Sequence, residues 1–275
     1  MANIIEVKDL CFTYRDGARA LDGVTISVRE GARTALLGPN GAGKSTLLLH
    51  MNGIFLAQKG LVRVAGREID QKNEKWVRTV VGLVFQDPDD QVFSSTVWED
   101  VAFGPKNMRL SDAEVEQRVG AALKAVKMEN FRDKAPYRLS YGEKRRVAIA
   151  GVLAMSPKVI ILDEPLACLD PQGKDDLLEV LSGLNDQGTT VIVATHDVDF
   201  AVQWAEQVLV IKDGKTLAQG DTSILADERV IREARLNFPI ITRLFKKLPG
   251  LVTGKMPLTV DDAVFEINKL LNDSN

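Results

Sequence analysis

The segment Gly38-Pro39-Asn40-Gly41-Ala42-Gly43-Lys44-Ser45 has the spacing G-x-x-x-x-G-K-[ST], with Thr46 following. Glycines at these positions let successive backbone N–H groups converge on phosphate oxygens, and the positive end of a following helix favours the same charge. Lys44 can reach the β- and γ-phosphates of a nucleoside triphosphate, and the Ser45 hydroxyl can ligate Mg2+. Far along the chain, the apolar run Val159-Ile160-Ile161-Leu162 leads into Asp163-Glu164. A carboxylate at a strand end can hold Mg2+ through water, and a second beside it can orient or deprotonate an attacking water. A strand-end acidic pair that merely caps the next element is the plain alternative, and the phosphate loop tells against it.

The elements that must position these groups are legible from periodicity. Ile4 to Val7 and Val24 to Val28 alternate as strands around a turn containing Gly17. Thr34 to Leu37 is a buried strand feeding the glycine loop, and Ser45 to Leu49 starts a helix. Val80 to Phe85 reads as another strand. From Asp87 to Met155 the texture is helical, with Ser111 and Glu114 spaced as a capping box and apolar helical spacing through Met128. Val159–Leu162 and Val191–Ala194 are all-apolar, as in a parallel sheet covered on both faces, and a helix over 174–185 connects them. Val208–Ile211 and Thr216–Ala218 form a hairpin over Asp213-Gly214. Thr259 caps a final helix over 260–271. The pattern is α/β, with a helical insertion.

Bulk properties exclude several classes. The chain has 275 residues, 45% of them hydrophobic and 27% charged, as expected for one large globular domain or a domain with an appendage. A net charge of −3 lacks the basic footprint of a nucleic-acid binder. Cys11 and Cys168 lie among apolar residues as reduced core thiols, and neither has the spaced partners of a zinc site. The first residues lack the pattern of a signal peptide, and no apolar run reaches the roughly 18 residues that a membrane span needs. A membrane role would therefore come through a partner.

Between the loop and the acidic pair stands Leu139-Ser140-Tyr141-Gly142-Glu143, ahead of an Arg-rich helix, and a lone His196 follows Ala194-Thr195. Ser140 is an N-cap candidate for a helix over 143–155, and a helix start is also an anion site. The order loop, Leu-Ser-x-Gly-Glu, strand with Asp-Glu, then His resembles the ATP-binding cassette of ABC transporters. The resemblance implies a P-loop NTPase ABC cassette with a RecA-like core, an antiparallel β subdomain, a helical signature subdomain and a C-terminal helical extension. It assigns residues 1–220 to the ATPase, with the helical part over about 87–155, and 221–275 to an extension that helps to dimerise the pair. A tail packed back on its own domain is the other reading.

On that resemblance Gly38 to Thr46 bind the phosphates of ATP, and Ser45, Gln86 and Asp163 hold Mg2+. Glu164, Gln86 and the switch residue His196 serve hydrolysis. Ser140, Gly142 and Glu143 face the nucleotide of a second cassette, Asp170 lies in the loop that crosses the interface, and Tyr14 stacks on adenine. Tyr141 departs from the family's usual Gly-Gly, and Glu143 stands where Gln is frequent. Tyr14 taken alone is a strand aromatic. His50 reads as a packed or solvated residue on the helix after the loop.

The stretch from Phe85 to Phe93, then Thr96 to Pro105, together with Lys144-Arg145-Arg146, is similar to the ATPases of energy-coupling-factor importers of vitamins, cobalt or nickel. There the segment after Gln86 forms a groove for helices of a transmembrane coupling subunit. Asp87, Asp89 and Asp90 would pair with arginines, and Val92 and Phe93 would supply an apolar floor. A solvated acidic turn is the bland alternative. Leu-Ser-Tyr-Gly looks more like the cobalt/nickel subgroup than the vitamin modules. The implied protein is an ATPase at the cytoplasmic face of a membrane, paired with a second cassette and with coupling and substrate-binding membrane subunits. Non-transport cassettes of DNA repair carry long coiled-coil insertions and those of translation carry two cassettes, neither of which this sequence has. A scaffold without turnover would not need Glu164 and His196.

Overall fold

The computed structural model describes residues 2–167, 169–252 and 254–273, with 272 and 273 by backbone alone. Cys168 lies outside the described residues. The chain opens with β1 (Asn3–Thr13) and β2 (Arg19–Arg29), paired antiparallel, and then β3 (Arg33–Leu37) leads through the glycine loop into α1 (Lys44–Met51). Next come β4 (Lys59–Val64), the short β5 (Arg67–Glu68), α2 (Glu74–Val80) and β6 (Val81–Val84). Val80 thus closes a helix rather than opening the strand. It is the last α2 residue, and the strand pairs only from Val81, opposite Val159.

The helical insertion holds α3 (Val97–Asn107), α4 (Asp112–Ala125) and α5 (Tyr141–Leu153). The expected capping box at Ser111–Glu114 is present. Helix α5 begins two residues before the sequence reading put it, because Glu143 at its third position closes a second capping box on Ser140. Then follow β7 (Val159–Asp163), α6 (Pro171–Asp186), β8 (Thr190–Thr195), α7 (Val198–Trp204), β9 (Gln207–Lys212) and β10 (Lys215–Gly220). The last helices are α8 (Glu228–Ala234), α9 (Ile240–Lys247) and α10 (Val260–Asp273).

Two sheets result. One is antiparallel with strand order β2-β1-β4-β5, and the other has order β10-β9-β3-β8-β7-β6, parallel from β9 through β6. The central strands β7 and β8 are buried at every position, which explains their unbroken apolar sequences. The core divides at this sheet: α1 and the antiparallel sheet cover one face, and α5 and α6 pack against the other. Residues after 220 do pack back on the core, with Leu225, Ile231 and Ala234 buried against Ala35, Leu37 and Val208. Beyond them α9 and α10 keep Ile240, Leu244, Val264 and Phe265 exposed. The N-cap hydrogen bond expected of Thr259 is present, from Asp262 N–H at 3.2 Å. Cys11 is half-buried on β1, its Sγ 3.7 Å from Asp9 O, not in the core.

Helix α5 sits so close to β6 that a Cβ at Gly82 would lie 2.2 Å from Val152 Cγ1. Gly82→Ala should therefore cost about 1–3 kcal/mol through overpacking. At a few degrees per kcal/mol for a chain of this size, thermal unfolding should show a loss of about 5 °C. An unchanged melting temperature would mean that the contact is looser than described.

Candidate functional site

The carboxyl ends of β3, β8, β7 and β6 lie side by side, so the segments that leave them converge on one cleft of about 580 Å3. Its walls include Tyr14, Lys44, Gln86, Asp163, Glu164 and His196. The glycine loop turns from β3 into α1 with Gly43 at φ 100°, and a Cβ there would meet Ala20 O at 2.6 Å. Only glycine fits that position. The first N–H groups of α1 have no partners within the helix and, with the helix dipole, make this end attractive to an anion.

Lys44 is buried and folded over the loop. Its Nζ donates to Gly38 O at 2.8 Å and Pro39 O at 3.3 Å, and stands 3.5 Å from Glu164 Oε1. Glu164 is gripped on both oxygens. Oε1 is 3.1 Å from His196 Nδ1, and Oε2 accepts the Thr195 hydroxyl at 3.2 Å. Glu164 also has φ 45°, a left-handed conformation that costs a non-glycine residue about 1–2 kcal/mol. Its N–H bonds Ala194 O at 2.9 Å, and its carbonyl accepts from Arg145 Nη1 at 2.8 Å. Held this way, the carboxylate projects off the end of β7 toward Lys44 instead of continuing the strand.

Asp163 is also buried, and burial pushes its carboxyl up from the ordinary aspartate range. The Ser45 hydroxyl and Lys44 pull the other way, while the Glu164 charge adds to the rise. Its Oδ1 is buried with no hydrogen-bond partner among the described residues. An unpartnered buried carboxylate oxygen beside a serine hydroxyl is a donor set suited to a hard divalent cation such as Mg2+. Gln86, two residues past the end of β6, lines the same cleft.

At the far end of the cleft Tyr14 follows β1, its hydroxyl 2.9 Å from Thr46 Oγ1 and its ring edge-on to Phe12 and Phe55. A half-exposed ring fixed at its hydroxyl offers a flat platform to a base. His50 lies beneath this cluster, fully buried with Nδ1 2.7 Å from Thr46 O, and burial lowers its pKa. It packs, as one of the two sequence readings has it.

Ser140, Gly142 and Asp170 are not brought to this cleft. They line a second cavity of about 440 Å3 with Arg146 and Asp176. Glu143, expected among the nucleotide-binding residues, has its carboxylate engaged: it accepts the Ser140 N–H at 2.7 Å, which holds it below the usual glutamate range. Asp170 caps α6 through Gly173 N–H at 2.7 Å. The sequence reading missed Thr195 and the structural part of Arg145. Thr195 carried a signal in its place directly before His196. Arg145 carried none beyond its place in a basic run.

The ABC transporter family profile matches residues 21–167. The energy-coupling factor transporter ATP-binding protein EcfA of Carboxydothermus hydrogenoformans is 49% identical over 90% of this chain and 91% of its own length. The chain belongs to the ABC transporter family, as an ATP-binding subunit of the energy-coupling-factor type. Among solved structures, cbiO1 of Clostridium perfringens, described as part of the ABC transporter complex cbiONQ, is 42% identical, with a TM-score of 0.76 over 90% of this chain and all of its own. A dimeric cassette in a post-hydrolysis state with ADP and Pi bound is 29% identical, with a TM-score of 0.72 over 79% of this chain and 98% of its own. The cassette accordingly binds and hydrolyses ATP.

The raised pKa of Asp163 has a consequence for stability. A carboxyl whose folded pKa exceeds its unfolded value of about 3.9 favours the fold while protonated, and that contribution disappears as pH rises through the folded pKa. Asp163→Asn should thus raise the melting temperature of the nucleotide-free chain at neutral pH, with the gap closing as pH falls toward about 4. A gap independent of pH would contradict the buried-charge account.

Proposed function

We propose that this cassette powers an energy-coupling-factor importer of cobalt or nickel ions, working as one of two cassettes on the cytoplasmic face of a membrane. The observation that carries the hydrolytic part is the carboxylate of Glu164, bonded by His196 and Thr195 and 3.5 Å from Lys44 Nζ. Gly38 to Thr46 cradle the phosphates of ATP, with Lys44 moving from the loop carbonyls and Glu164 to the β- and γ-oxygens. Glu164 accepts a proton from the water that attacks the γ-phosphorus as ADP leaves, and Gln86 and His196 orient that water and the γ-phosphate. Ser45, Gln86 and Asp163 would hold Mg2+, which when bound would neutralise charge on the phosphate oxygens. Tyr14 stacks on adenine.

Ser140, Gly142 and Asp170 face outward, remote from their own chain's phosphate loop. That separation supports a head-to-tail pair in which each chain's signature segment meets the other's ATP, and the dimeric state of the ADP-bound neighbour supports pairing as such. Residues 221–275 form the extension, and the exposed apolar side chains of α9 and α10 suit a second copy.

A groove of about 790 Å3 beside Gln86 suits helices of a membrane subunit. Phe93 and Phe103 stand exposed on it, edge to face at 5.1 Å. The buried carboxylate of Asp100 fixes the loop by accepting Phe93 N–H at 2.8 Å and Ser94 N–H at 2.7 Å. Of the three acids expected to meet arginines, Asp89 is paired with Lys144 and Asp87 caps the turn at Asp89 N–H, whereas Asp90 lines the groove. The neighbour in a cbiONQ complex supports membrane partners of this kind, and the cobalt or nickel reading rests on the Leu-Ser-Tyr-Gly form of the signature.

Glu164→Gln should leave ATP affinity intact and lower turnover by about 100-fold or more, measured as phosphate release beside nucleotide binding; parental turnover would remove Glu164 from the chemistry. Phe93→Asp should abolish co-purification with the detergent-solubilised membrane subunits while ATP binding persists. In vesicles holding the full assembly, ATP-driven uptake of cobalt or nickel is expected, and uptake of a vitamin instead would redirect the cargo.

A further inference from the structure

Tyr141 stands where the signature usually has glycine, and the structure gives its side chain a task. The hydroxyl donates to the main-chain carbonyl of Gln86 at 3.2 Å. The guanidinium of Arg145, one turn later on α5, donates through Nη2 to that same carbonyl at 2.6 Å and to the Tyr141 oxygen at 2.9 Å. Its other arm, Nη1, donates to the carbonyl of Glu164 at 2.8 Å. Arg145 is 2% exposed and lies over the Tyr141 ring, with Cζ 5.1 Å from the centroid.

Neighbouring Arg146 faces the carboxylate of Asp176, whereas Arg145 directs a buried charge at three uncharged oxygens. A buried guanidinium is costly unless its N–H groups are matched; here Nη1 and Nη2 are matched to two particular peptide units, while Nε has no partner among the described residues. Those units lie just past the ends of adjacent parallel strands, Gln86 two residues after β6 and Glu164 directly after β7. The Glu164 unit is the one held at positive φ, and its carbonyl accepts the Ala167 N–H at 3.2 Å as well as Arg145 Nη1. Lys144 adds a third tie from α5, to Asp89 in the turn after Gln86.

We propose that Tyr141 and Arg145 are a positioning pair that transmits the placement of the N-terminus of α5 to this chain's own Gln86 and Glu164. The inference rests on the two-cassette reading above. Nucleotide held by one chain's phosphate loop engages the other chain's Ser140 and Gly142, at the start of α5. Through Tyr141 and Arg145 that engagement sets the peptide units of Gln86 and Glu164, so each bound ATP tunes the hydrolytic geometry of the opposite site. Neither residue touches nucleotide in this scheme. Glycine at position 141 would leave Arg145 alone on the Gln86 carbonyl.

The test uses the full-length chain with ATP and Mg2+. Tyr141→Phe removes only the hydroxyl, and Arg145→Lys keeps the charge but loses the fork. The first should lower kcat about 2- to 10-fold and the second about 10- to 100-fold, at near-parental KM and melting temperature. Both should move the Hill coefficient toward 1. Because the pair acts on one carbonyl, the double variant should be little worse than Arg145→Lys alone. Parental kcat and Hill coefficient in both variants, or reduced kcat with the Hill coefficient kept, would overturn the proposal. The two-cassette reading is checked separately by size in Glu164→Gln protein with ATP: failure of that protein to pair would defeat that reading and the transmission built on it.

Discussion

Charges held out of water at the carboxyl ends of the parallel strands govern the rest of this structure. Lys44, Asp163 and Glu164 are all buried, and an ammonium group and two carboxylates in such a place need mutual contacts and dedicated hydrogen bonds. The loop carbonyls, Ser45, Thr195 and His196 supply them. A polyphosphate with its cation suits this cluster electrostatically, since it would present negative oxygens to Lys44 and a positive ion to Asp163. At the periphery Tyr14 is anchored to the loop helix through Thr46.

The strand order explains why so few residues suffice. With β3, β8, β7 and β6 adjacent and parallel, the glycine loop, His196, the Asp163-Glu164 pair and Gln86 emerge in sequence along one edge. Crossover connections in parallel sheets place strand ends of distant sequence side by side, and ligands collect there. The helical insertion then lies over the neighbouring edge, where α5 meets both β6 and the turn after Gln86. One helix therefore presents Ser140 outward and Arg145 inward, which is a mechanical arrangement as much as a chemical one.

Much of this could be read from the residues. The phosphate loop, the acidic pair, the buried strands and the capping box at Ser111 follow from spacing, because each depends on contacts between near neighbours in the chain. The errors have local causes too: Val80 has a strand former's side chain but lies in the last turn of α2, and α5 starts early because Glu143 is its capping partner. The acidic turn was only partly legible. Asp89 and Asp87 looked available to a partner, yet Lys144 and a turn N–H engage them.

By itself the sequence determined the chemistry: a glycine cradle with Lys44 and Ser45, a carboxylate pair at a strand end, and a histidine after Thr195. These depend on residue type and short spacing, which a linear chain displays. Tertiary structure alone decided which oxygen each buried donor would find. That Arg145 reaches the carbonyls of Gln86 and Glu164, 59 and 19 residues distant, could not be inferred from a basic run on a helix. Hydrogen bonds between remote segments are set by how the sheet and the insertion pack, and main-chain acceptors leave no mark in the sequence.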